Sequence, residues 1–116
     1  MRQKRQERLE NALQLLEAEF RAKLIAALHR CREGYWGLFD QNGRTAMPES
    51  SKRKTYVESG AAELDTLAAE IDQIRNEIGL PEPFPLYARL LADRGRKTSN
   101  DLGEPRLAAL WLEELE

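Results

Sequence analysis

One histidine and one cysteine are all the chain carries of the residues most used for metal binding and nucleophilic chemistry. Cys31 has no second cysteine to pair with, so no internal disulfide forms, and a reducing, cytoplasmic setting is the expectation. His29 and Cys31 lie two apart, about 200° around a helix, and tetrahedral zinc needs further Cys or His ligands that are missing. The same geometry rules out a Cys–His nucleophilic pair. The seven glycines are scattered, and none falls in a phosphate-cradling G-x-G-x-x-G or G-x-x-x-x-G-K pattern. No apolar run approaches the ~18 residues of a transmembrane helix. Residues 1–8 hold Arg2, Lys4, Arg5 and Arg8, so they lack the uncharged apolar stretch of a secretory signal. An excess of one sign of charge is also absent. Eighteen basic against twenty acidic residues leave −2, which advertises neither nucleic acid nor an anionic membrane.

What is present is enough for one helical domain. The 116 residues are 41% hydrophobic, 33% charged and 7% aromatic, too apolar for a disordered tail and suited to amphipathic helices. Leu9, Leu13, Leu16, Phe20, Leu24, Ala27 and Cys31 recur every three or four residues, one stripe of a helix over about 5–33 that ends at Gly34. A second stripe, Val57, Ala61, Leu64, Ala68, Ile71, Ile74 and Ile78, predicts a helix over about 52–79. Thr55-Tyr56-Val57-Glu58 fits a capping box near its start, with Ser50 or Ser51 an alternative start a turn earlier, and Gly79 stops it. Gly60 lies inside that pattern and weakens it by about 1 kcal/mol relative to alanine. Pro81, Pro83 and Pro85 make a stiff elbow, after which Leu86, Tyr87, Leu90 and Leu91 predict a short helix over about 85–94. Leu107, Leu110, Trp111 and Leu115 predict a last one over about 104–115.

The expected fold is therefore all-α: a long antiparallel helical hairpin with two short C-terminal helices in a single domain, 1–116. A first helix of about 40 Å overhangs a compact globule of this size. The uncovered part of its stripe makes a homodimer through helix 1 the expected assembly.

Two features are candidates for contact with a partner. Tyr35, Trp36, Leu38, Phe39, Asp40, Asn42 and Arg44 form the least helical and most aromatic part of the chain, with Asn42-Gly43 a good turn dipeptide. Aromatic residues there either plug the end of the helical pair or stand open as a recognition loop. Basic residues cluster at Arg2, Lys4, Arg5 and Arg8, at Lys52, Arg53 and Lys54, and at Arg94, Arg96 and Lys97. These read as solvated surface, as phosphate contacts in a combined patch, or as a face for an acidic protein. The carboxylates, interleaved with Arg and Lys, read as solvated helix faces, and no catalytic constellation or cofactor site emerges.

Gly34-Tyr35-Trp36-Gly37-Leu38-Phe39-Asp40-Gln41-Asn42 and Gly103-Glu104-Pro105-Arg106-Leu107-Ala108 resemble a pair of segments, G-x-W-G-L-F-x-x-N and G-E-P-[KR]-L-A, found in small uncharacterised bacterial proteins. The resemblance implies a bacterial origin and transfers no functional residues. The expected function is that of a non-enzymatic bacterial protein-binding module, a small regulator or inhibitor from a mobile element. The alternative is a nucleic-acid-binding accessory protein that uses the local Arg and Lys clusters.

Overall fold

The computed structural model describes residues 2–34, 37–39, 49–80, 82–94 and 104–116, and the side chains of all of these but 2, 3 and 49–53. The described residues form five helices and no strand: α1 (Arg2–Arg32), α2 (Glu49–Glu58), α3 (Ala61–Glu77), α4 (Pro85–Arg94) and α5 (Glu104–Leu115). The fold is all-α. No helix among the described residues is long and apolar enough to cross a membrane.

Long α1 is the spine, and α3 and α5 both pack along it. Its stripe is used within the chain: Leu13, Phe20, Leu24, Ala27 and Cys31 are buried, while Leu9 and Leu16 are half-buried. They meet Leu64, Leu67, Ala68 and Ile71 of α3 and Leu107, Ala108, Trp111 and Leu112 of α5 in one core. The seam through which a homodimer was expected is thus largely covered from Leu13 to Cys31, because the last helix, α5, packs along α1 as closely as α3 does. Overhang survives only at the head, where Lys4 to Arg8 are all exposed. The molecule measures 54 × 31 × 21 Å with a radius of gyration of 15.8 Å, against about 13 Å for a compact domain of this length.

The second arm of the hairpin is broken rather than continuous. Gly60 takes a left-handed φ of 89° between α2 and α3. Ser59 stabilises the break, its hydroxyl donating to Tyr56 O at 2.9 Å and accepting from Ala61 N at 3.2 Å. The expected helix over 52–79 is therefore two, and α2 begins earlier, at Glu49. Thr55 lies inside α2, so it does not cap a helix start, and Val57 faces solvent at 58% exposure. The cause is local: a residue in left-handed geometry cannot continue an α-helix, and glycine adopts that geometry without steric penalty.

The elbow after α3 is pinned at both sides. Leu80 N donates to Arg75 O at 2.8 Å in a Schellman-type closure with Gly79 at φ 82°. Arg75 reaches over the elbow to donate to Glu82 O from Nε and Nη2, at 3.1 and 3.0 Å. Phe84 then turns inward, edge-on to Phe20 with ring centroids 5.1 Å apart, and starts α4 against the spine.

Candidate functional site

At the far end of α1, residues 37–39 lie between the N-terminus of α5, the C-terminus of α4 and the middle of α2. Gly37 has φ 114°, and a Cβ there would meet Thr55 Cγ2 at 2.8 Å and Thr55 O at 3.0 Å. Both the backbone angle and the space demand glycine. Leu38 and Phe39 are fully buried.

Three charged side chains are buried among the described residues, Glu104, Arg94 and Asp93; the first two bond to this segment and the third bonds to Trp111, which packs on it. Glu104 opens α5 and is wholly inaccessible. Its carboxylate accepts from Gly37 N at 2.9 Å through Oε2 and from Phe39 N at 2.7 Å through Oε1. A carboxylate in the first turn of a helix also sits at the positive end of the helix dipole. Arg94 closes α4 and donates from Nε to Leu38 O at 2.9 Å. Its Nη1 lies 2.8 Å from Asp65 Oδ1 on α3, which also accepts from the Tyr87 hydroxyl at 3.1 Å. Nη2 of Arg94 has no partner among the described residues. Asp93 accepts from Trp111 Nε1 at 2.6 Å, and the Trp111 ring packs on Phe39 with centroids 5.9 Å apart. The backbone N–H, C=O and N–H of three successive residues are thereby held by two side chains of opposite charge.

Burial raises the Cys31 thiol to about 12, with the Glu104 carboxylate adding to the effect. The thiol donates to Glu104 O at 3.5 Å. A thiol so placed stays protonated, which makes Cys31 a core residue and an unreactive one. Tyr87 is also raised, by burial first and then by Asp65. His29 is half-exposed, touches Glu116 Oε1 through Nε2, and accepts from Arg32 Nη2 at Nδ1, 3.0 Å away.

Of the residues expected at an open loop, Leu38 and Phe39 present no surface in the isolated chain. They form the plug, because the end of the α1–α5 pair has an apolar gap that they fill. Tyr35, Trp36, Asp40, Asn42 and Arg44 lie outside the described residues. Lys4, Arg5 and Arg8 are exposed on the first turns of α1. Lys54 is exposed on α2, 3.9 Å from Glu58. Arg2 and the pair Lys52 and Arg53 lie in α1 and α2, with side chains outside the description. Thr55 packs on Gly37 just past the C-terminus of α1, so the clusters at 4–8 and 52–54 lie near opposite ends of that helix. Arg94 leaves the third cluster, since it is buried; Arg96 and Lys97 lie outside the described residues.

The sequence reading missed Glu104, Arg94, Asp93 and Asp65 because it treated carboxylates and guanidiniums alike as solvated. A signal was there in α4: Leu86 and Leu90 continue at the i+7 and i+8 positions into Asp93 and Arg94, so a face that begins apolar ends charged. Charges on an apolar face are buried charges.

The two segments that carry the resemblance meet here. Gly37, Leu38 and Phe39 come from the first and Glu104, Leu107 and Ala108 from the second. Comparison with family models, curated proteins and solved structures finds no match to this chain.

Proposed function

We propose that this chain acts by binding another protein, as a small regulator or inhibitor, and that the contact is made by the residues around the anchored segment. The observation that carries the reading is that two buried side chains of opposite charge, Glu104 and Arg94, hold the backbone of residues 37–39. Buried charges contribute little net stability and are often outdone by apolar residues of equal size, but they impose one local conformation. A chain that orders three loop residues this strictly gains a fixed point from which neighbouring residues address a partner with little loss of conformational entropy. Tyr35, Trp36, Asp40, Asn42 and Arg44, next to that point in sequence, are the proposed contact residues, while Leu38 and Phe39 support them from within. Catalysis is not part of the proposal, since the lone thiol is buried and protonated and the buried carboxylates face backbone and indole N–H groups.

The test is a pull-down from the native host with the wild-type chain and with a Tyr35→Ala, Asn42→Ala, Arg44→Ala triple variant. The reading expects a protein retained by the wild type and lost with the variant at unchanged helical content. Equal retention by both contradicts it.

A second reading, nucleic-acid binding, draws on Lys4, Arg5 and Arg8, which are exposed and lack ion-pair partners among the described residues. Fluorescence anisotropy with duplex and single-stranded DNA at about 50 mM salt addresses it, because phosphate contacts are strongest there. Binding that falls steeply with added salt supports that reading, and none at that salt removes it.

A further inference from the structure

We infer that the basic head of α1 docks into the groove between α4 and α5 of a second copy of this chain. The groove is a cavity of about 410 Å³ lined by Leu107, Leu110 and Trp111 together with Glu113 and Glu114. Leu110 is 47% exposed in it. Arg89 occupies the outer face of Trp111, its guanidinium carbon 4.4 Å from the ring centroid, and pairs with Glu114 at 2.5 Å. The indole face therefore already accepts a cation, and Glu113 has no ion-pair partner among the described residues.

The proposed occupant is on the same chain. Lys4, Arg8, Asn11 and Leu15 share one face of α1, and every one of them is exposed. Leu15, at 74%, is the most exposed of the large hydrophobic residues described. The head is also electrostatically unsatisfied at home: the first turn of α1 holds no acidic residue, so its cations oppose the helix dipole. Glu113 and Glu114 lie in the last turn of α5, where the dipole is negative and cations are favoured.

Spacing agrees with charge. Leu15 and Arg8 are seven residues apart, as are Leu107 and Glu114, and each pair spans about 10 Å at 1.5 Å per residue. With α1 of one copy antiparallel to α5 of the other, Leu15 covers Leu107 and Leu110 while Arg8 and Lys4 reach Glu113 and Glu114. Within one chain α5 runs back along α1, with Glu104 O at Cys31 and Leu115 O at Arg21, so the contact is head-to-tail and joins successive copies rather than pairing identical patches. The residues it rests on, Lys4, Arg8, Leu15, Glu113 and Glu114, are not those of the proposed partner contact, so its test is independent of that reading.

Light scattering at about 100 µM protein tests it, with charge reversals that leave buried residues untouched. The wild type should exceed the 13.3 kDa of one chain at about 50 mM salt and approach it at about 500 mM, where the Debye length shrinks below 5 Å. Lys4→Glu with Arg8→Glu should be monomeric, and so should Glu113→Lys with Glu114→Lys. An equimolar mixture of the two variants restores complementary charges and should associate again. Leu15→Ala should weaken association without altering its salt dependence. A monomeric wild type overturns the inference, as does association that survives either reversal or a mixture that stays monomeric. DNA binding abolished by the head reversal in a monomeric protein overturns it in favour of a phosphate-binding head.

Discussion

Glu104 is the residue on which the site depends most. Replacing it with glutamine preserves its shape but turns one acceptor into a donor, so either Gly37 N or Phe39 N is left facing an N–H group in a buried place. The expected loss is about 2 kcal/mol, a fall in melting temperature on the order of 10 °C for a domain this small. Arg94→Leu removes the donor to Leu38 O and leaves Asp65 with the Tyr87 hydroxyl as its described partner, and should cost about 3 kcal/mol. Thermal melts check both. Phe39→Ala belongs with them: it opens a cavity against Trp111 and should cost roughly 3–5 kcal/mol. Near-native melting of Phe39→Ala contradicts the plug.

Cys31 gives the residue scale a pH signature. The native thiol holds its proton to about 12, against an ordinary value of 9.0. Between these values the unfolded chain binds fewer protons than the folded one, so stability falls as pH rises from about 9 toward 12. Tyr87, raised above its ordinary 10.0, acts in the same direction from about that pH. Cys31→Ala should flatten the decline, and denaturant unfolding at pH 8, 9.5 and 11 measures it. An equal slope in the variant contradicts the assignment.

At the scale of elements, the break between α2 and α3 makes a prediction of unusual sign. Within a continuous helix, Gly60→Ala would stabilise by about 1 kcal/mol. At φ 89°, with the new Cβ 2.8 Å from Arg30 Nη2, it should instead destabilise by about 1 kcal/mol. Denaturant unfolding distinguishes the two. The α4 and α5 ranges were legible because proline and glycine punctuate them and their apolar residues repeat every three or four positions. The α2–α3 break was not, because Val57 and Ala61 keep helical spacing across Gly60, and periodicity carries no record of a backbone angle. The start of α2 was misplaced for a related reason: Thr55 and Glu58 have the composition of a cap, but capping depends on where the helix already begins.

At the scale of the molecule, the all-α class and the role of α1 follow from stripe patterning alone, since an apolar stripe has to be covered. How it is covered did not follow. Two flanking helices satisfy α1 from Leu13 to Cys31, which removes the length argument for a dimer and leaves a charged head in its place. The site was half legible. Aromatic density singled out residues 35–44, and the paired segments pointed to 103–108, but nothing in one dimension says that Glu104 reaches Gly37 and Phe39 sixty-seven and sixty-five positions away. Long-range polar pairs leave no periodic trace.

The central claim is that a buried carboxylate holds residues 37–39 in one conformation, and amide hydrogen exchange reads it directly. In the wild type, Gly37 and Phe39 N–H should exchange as slowly as core amides of α1, despite lying outside any helix, because their release requires breaking a buried charged hydrogen bond. In Glu104→Gln at least one of the two should lose that protection while amides near Leu24 and Leu64 keep most of theirs. Fast exchange of Gly37 and Phe39 in the wild type, at the rate of an open loop, would contradict the account.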